Sequence, residues 1–322
     1  MQMPYTITII GQFTQRKRLN SQGYFLTTTT LNQRKAYAFG LGAVICWSTV
    51  ATAFKLSLEY LSPAQLLLYA SLTSWLFLVI ILLVKKRLRA SLFVDIKAYR
   101  RALLFGAFNP LVYYLILFKA YALLPAQEAQ ILNYSWALTM TLLAIPLLGH
   151  KLRWQDAVAA LICYSGVLVI ATRGDIFGLQ FSNPEGVVWA LASTVIWALY
   201  WILNSKQKDD AIGALFRNFS CAIPLILLYC WMTGELTAVP WQGLAGAAYV
   251  GLFEMGISFI FWLSAMRLTQ NTASIANLIF IAPLLSLIII SVLLKEAILA
   301  STLWGLALIL SGLMIQQFVA KK

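Results

Sequence analysis

Charge is scarce in this chain. Asp, Glu, Lys and Arg make up 11% of its 322 residues, against about 25% in an ordinary soluble domain. Polar stretches are missing too. After residue 36 none is long enough for a separate soluble domain, or for a loop-borne active site. There is one histidine, His150, beside Lys151, and the eleven acids include no pair inside an apolar run; Asp209 and Asp210 fall in a loop. A metal-dependent membrane enzyme would find no ligand set here. The four cysteines, Cys46, Cys163, Cys221 and Cys230, sit inside apolar runs without metal-ligand spacing and read as small packing residues. No G-x-x-x-x-G-K-[ST] stretch is present, so direct drive by ATP has no support. No cofactor is expected.

What is present is apolar sequence, 61% of the chain. Ten runs, at 36–58, 64–84, 102–124, 127–149, 155–172, 186–204, 212–232, 241–266, 273–294 and 299–319, approach the roughly 20 residues that a helix needs to cross a hydrocarbon core. They predict an all-α integral membrane protein with ten transmembrane helices, and the lipid bilayer as its solvent. The net charge of +13 would suit nucleic acid, but its distribution argues against that partner. Of the 24 Lys and Arg residues, all but Lys55, Lys119, Arg173, Arg217 and Lys295 fall on one side of the alternating runs. By the positive-inside rule that side is cytoplasmic, as are both termini. The expected location is a bacterial cytoplasmic (inner) membrane. Residues 1–34 are polar and Gln/Thr-rich, with an apolar patch, Ile7 to Ile10, too short for a signal-peptide core. They are expected to form a mobile cytoplasmic tail.

An internal repeat is visible. Asn133 and Asn277 each open an apolar stretch that ends at a lysine, Lys151 and Lys295, with the same offset of 144 residues. Ser165-Gly166 and Ser311-Gly312 follow in the last helix of each half, and Trp47 and Trp197 occupy similar places in the first and sixth. Ten helices thus divide into repeats at 35–172 and 186–319. Five is odd, so the second repeat is expected to enter the membrane inverted, an architecture with the substrate site near the midplane between the halves. Pro110, Pro224 and Pro283 lie inside runs, either as packing kinks or as hinges.

The chain resembles the drug/metabolite transporter superfamily, EamA branch. Trp47-Ser48-Thr49, Asn133-Tyr134-Ser135-Trp136, Ala282-Pro283-Leu284 and the two Ser-Gly pairs carry the resemblance. The second of these is similar to the Asn-Tyr-x-Trp-Pro pattern of aromatic amino acid exporters, with Ala137 where that pattern has proline. The resemblance implies ten helices in two inverted five-helix repeats. It also implies a carboxylate five residues before the Asn-Tyr pair, here Glu128.

Nine residues are expected at a substrate site: Trp47, Glu128, Asn133, Trp136, Trp197, Tyr200, Tyr249, Glu254 and Asn277. Glu254 is the most unusual, since an ionised carboxylate mid-membrane costs a few kcal/mol and usually faces a cavity. It is read as a group for a substrate ammonium or a proton, or else as a structural Glu with Arg217 as nearest cation. Glu128 opens the fourth helix, where an acid suits the helix dipole or an outer vestibule, with Lys119 as a partner unless that lysine snorkels to the headgroups. Asn133 and Trp136, three apart, share a face, and Tyr134 is expected to point elsewhere. Trp197, Tyr200 and Trp201 form an aromatic stripe, a ligand wall or plain packing. Intramembrane cations lie toward helix ends, which disfavours multiply charged phosphates as substrates. The leading expectation is a secondary transporter of a small amphipathic or zwitterionic, amino acid-like solute, exporting by alternating access. The alternatives are an integral membrane enzyme and a passive channel. Spacing such as Ala247 to Gly251 fits packing within a monomer or between protomers, so the oligomeric state stays open.

Overall fold

The computed structural model describes residues 31–149, 154–178, 181–204 and 210–319. Most of the expected N-terminal tail, together with His150, Lys151 and Asp209, lies outside the described residues. Among the described residues there is helix and no strand. Among the described residues nine helices are long and apolar enough to cross a membrane: α1 (Gln33–Leu58), α2 (Pro63–Val84), α3 (Ile96–Leu123), α4 (Ala126–Leu148), α5 (Trp154–Ala171), α6 (Pro184–Asn204), α7 (Ala211–Met232), α8 (Trp241–Leu268) and α9 (Ser274–Leu293). The last expected run forms α10 (Ala300–Val319), whose apolar stretch, Ala300–Ile315, is shorter among the described residues.

Local sequence sets the helix starts. Asn32 accepts from the Lys35 amide at 3.0 Å to cap α1. Ser62 and Gln65 form a reciprocal capping box around Pro63, whose missing N–H costs nothing in a first turn. Asp95 caps α3 six residues before the apolar run expected there, because a capped basic turn extends the helix beyond its lipid-soluble part. Gly149, at φ +70°, ends α4 in a left-handed conformation that suits glycine.

Four helices are interrupted. In α3 the segment Ala107–Val112 is π-helical around Pro110, with Asn109 at φ −145°, ψ 112°. In α8 the segment Val250–Ile257 is π-helical, and the Ser258 hydroxyl donates to the Glu254 carbonyl at 2.6 Å. The α4 helix divides at Ser135 into Ala126–Tyr134 and Trp136–Leu148. The Ser135 hydroxyl bonds back to the Leu132 carbonyl at 2.8 Å, which competes with the helix ladder. In α9 a 3₁₀ turn, Asn277–Phe280, precedes Pro283, which has no N–H to offer the carbonyl of residue 279.

The most extensive packing joins helices from residues 33–171 to helices from 184–319. α1 packs on α8 and α9, α2 on α7, α3 on α6 and α7, α4 on α6, and α5 on α10. The α5–α10 contact is backbone to backbone. A Cβ on Gly166 would stand 2.6 Å from the Gly305 carbonyl oxygen, and one on Gly312 2.7 Å from that of Ala159. The Ser-Gly glycines therefore face each other's helices, as small residues do where membrane helices approach closely. Gly251 likewise sits against the Ala70 carbonyl of α2, so the Ala247–Gly251 spacing serves packing within the chain. Gly305→Val should lower the thermal unfolding midpoint in detergent, by overpacking worth about 1–3 kcal/mol. An unchanged midpoint would show that α5 and α10 can separate freely.

Candidate functional site

The interrupted helices α3, α4, α8 and α9, with α1, α6 and α10, enclose a central cavity of about 160 Å³. A single water needs about 10–15 Å³ by the same measure, so the space suits an organic solute. Its walls are aromatic. Trp197 on α6 stacks on Tyr113 of α3 at 4.4 Å between ring centroids and meets Trp136 of α4 edge-on at 6.3 Å. Trp47 of α1 packs against Trp262 at 5.3 Å and edge-on to Phe259 at 6.3 Å, both on α8. Phe259 in turn meets Trp197 at 6.5 Å, which joins the two groups.

Three polar side chains open on this aromatic space. Glu254, on the π-helical turn of α8, accepts from the Tyr114 hydroxyl at 3.0 Å. No cation pairs with it among the described residues; Arg217, its expected neighbour, instead donates to the Ser91 carbonyl at 3.2 Å. Asn133 donates to the Ser193 hydroxyl at 2.9 Å and lies within hydrogen-bonding reach of the Tyr113 hydroxyl. Gln130 is 5% exposed, and its Oε1 has no hydrogen-bond partner among the described residues. A buried amide oxygen without a partner is costly, and a solute donor in the cavity would satisfy it.

Of the nine expected residues, Trp47, Asn133, Trp136, Trp197 and Glu254 line the cavity. Tyr200 does not; it lies buried behind Trp197, stacked on it at 5.8 Å. Tyr249 points to α1 and donates to Thr49 at 2.7 Å. Asn277 is exposed at the start of the 3₁₀ turn, while Ala276, Ile279 and Phe280 beside it reach the cavity. Glu128 is 1% exposed at the end of the molecule away from the basic loops. It holds Arg173 at 2.7 Å and Ser182 at 2.5 Å. Its partner is thus Arg173; Lys119 rests over the Trp189 ring at 5.1 Å. Tyr134 corrects the face count: it lines the cavity together with its neighbour Asn133 and with Trp136. Gln130 was missed, although its three-residue spacing from Asn133 puts both on one face.

The end away from the basic loops is clasped shut around the start of α4. Glu296, from the α9–α10 turn, accepts from the Ala126 amide at 2.9 Å and serves α4 as a borrowed N-cap. Gln127 donates to the Ala297 carbonyl at 2.8 Å and accepts from Thr302 at 2.9 Å. Lys55 donates to the Tyr121 and Leu124 carbonyls at 2.9 and 2.8 Å, closing the end of α3.

The model of the EamA-like transporter family matches residues 34–172 and again 184–316. An uncharacterized transporter of Archaeoglobus fulgidus is 23% identical over 84% of this chain and 95% of its own. The aromatic amino acid exporter YddG of Ancylobacter novellus is 26% identical over 65% of this chain and 73% of its own. A probable terminal-alkyne amino-acid exporter of Streptantibioticus cattleyicolor is 26% identical over 59% and 64%. A solved crystal structure at 22% identity superposes with a TM-score of 0.62, covering 90% of this chain and 99% of that one, a likeness of fold.

Removing the borrowed cap should loosen the clasp. Glu296→Ala is expected to speed amide hydrogen exchange in the first turn of α4 about three- to thirtyfold, from a cap worth roughly 0.5–2 kcal/mol. Unchanged exchange there would mean that Glu296 holds nothing closed.

Proposed function

The chain belongs to the EamA-like transporter family, and from that premise we propose a secondary carrier that exports a small amphipathic or zwitterionic metabolite of the amino acid class through the central cavity. One observation carries the reading. A carboxylate with no cationic partner among the described residues shares an aromatic cavity with two amide side chains. Glu254 suits a solute ammonium, Gln130 and Asn133 suit its polar end, and the Trp197 and Trp47 groups suit an apolar side chain. The printed names of two relatives, an aromatic amino acid exporter and a probable terminal-alkyne amino-acid exporter, support the same class.

The proposed architecture is ten transmembrane helices in two inverted repeats, working by alternating access. The family model matches twice, and the irregular segments recur. The π-helical turns begin at Ala107 and Val250. The Asn133 and Asn277 positions, 144 residues apart, each adjoin a break in their helix. Discontinuous helices near the midplane are where such carriers place their solute sites. In this scheme the clasp at Glu296, Gln127 and Lys55 is the closed gate of one access state, and both termini face the cytoplasm of a bacterial cell. Glu254 is the exchangeable carboxyl: it holds a proton when the cavity is empty and releases it to water as the carboxylate pairs with the solute ammonium.

Reconstituted protein should show saturable counterflow with an aromatic or aliphatic amino acid, whereas an unsaturable flux would indicate a channel. Glu254→Gln is expected to abolish the pH dependence of that transport, and an unaltered pH profile would remove Glu254 from the coupling step. Trp197→Ala should weaken apparent solute affinity about two- to tenfold, from ring contacts worth about 0.5–1.5 kcal/mol. Equal affinity in the variant would move the solute elsewhere.

A further inference from the structure

A second cavity, sharing no residue with the first, lies at the basic end. It measures about 240 Å³ and forms where the segment between α2 and α3 meets the start of α7. Arg87, Arg101 and Arg217 line it, together with Asp95 and Asp210. Arg217 is only 5% exposed, fixed by its bond to the Ser91 carbonyl. Arg87 reaches Asp210 at 3.3 Å. Both carboxylates are turned to helix starts: Asp95 accepts from the Ala98 amide at 2.9 Å, and Asp210 from the Gly213 amide at 3.0 Å. The cavity thus gathers three guanidinium groups, each with several donors, and two aspartates, of which Asp210 is paired with Arg87. Guanidinium groups match phosphate oxygens with paired, planar hydrogen bonds.

The rim shows what kind of phosphate fits. Phe93 is 82% exposed and Ile96 68%, and both belong to the segment that carries Arg87 and Asp95. Lys85, Lys86, Arg89, Lys97 and Arg100 are exposed in the same stretch of chain. A site for a soluble anion has no use for an exposed phenylalanine. An apolar anchor beside a cationic pocket, at the level where membrane helices begin, matches acyl chain below and headgroup above.

We propose that this cavity binds the headgroup phosphate of an anionic phospholipid, and that Phe93 and Ile96 anchor the segment in the same leaflet. The bound lipid would tie the α2–α3 segment to the start of α7.

Native mass spectrometry of the full-length protein tests this, with phosphatidylglycerol and phosphatidylcholine offered in equal amounts. Preferential retention of phosphatidylglycerol is expected, and no preference would overturn the site. The double variant Arg87→Gln/Arg101→Gln should lose about tenfold or more of that preference, while the charge-matched Lys85→Gln/Lys97→Gln variant should keep most of it. Equal losses in the two would reduce the site to diffuse surface charge. Phe93→Ser leaves every guanidinium in place and should also weaken lipid retention, a readout that stands if the arginine variant fails to fold. Glycerol phosphate in solution should compete poorly. If it displaces the lipid at equal concentration, the cavity recognises a soluble anion and the lipid assignment falls.

Discussion

A hydrocarbon solvent offers no hydrogen bonds, so every backbone donor and acceptor at that depth must be satisfied by the protein. The placement of irregular structure follows from this constraint. Helices α2, α5 and α7 do not line the central cavity, and each is one continuous span. The breaks in α3, α4, α8 and α9 all fall on helices that do. Freed backbone groups are tolerated beside the cavity, and the serine hydroxyls of Ser135 and Ser258 take up carbonyls there.

The same solvent sorts the charges. Lys55 and Arg173 sit at the clasped end, Arg87, Arg101 and Arg217 at the basic end, and the cavity between them keeps one carboxylate in a frame of rings. Trp197 is the centre of that frame, in contact with Tyr113, Trp136, Tyr200, Trp201 and Phe259. Tyr200 backs the frame from outside, which explains how an aromatic stripe at helical spacing serves as both wall and packing.

Much of this was legible in the sequence, and the illegible parts share one cause. Apolar runs, loop charges and caps such as Ser62-Pro63 are local signals, so the spans and their ends could be read directly. Glu254 stood out by residue type, Trp47, Asn133 and Trp136 by the motifs they belong to, and Trp197 by the repeat. Face counting failed at Tyr134 because it follows one stripe of a helix, whereas the cavity touches the adjacent residues Asn133 and Tyr134 together. Partners also escaped. Arg173 reaches Glu128 across 45 positions and Tyr114 reaches Glu254 across 140, distances at which sequence proximity carries no information. Gln130 had a readable signal in its three-residue spacing from Asn133.

The cap that Glu296 lends to α4 has a consequence for how the protein is made. A ribosome releases Ala126 long before Glu296, which lies 170 positions later, and the extensive helix pairings all join early helices to late ones. The first half therefore enters the bilayer with its fourth span uncapped and with the glycine face of α5 still waiting for α10. Until residues 296–319 are made, the start of α4 lacks its Glu296 cap and α5 lacks its α10 contact, so the packing of the early helices waits on the late ones.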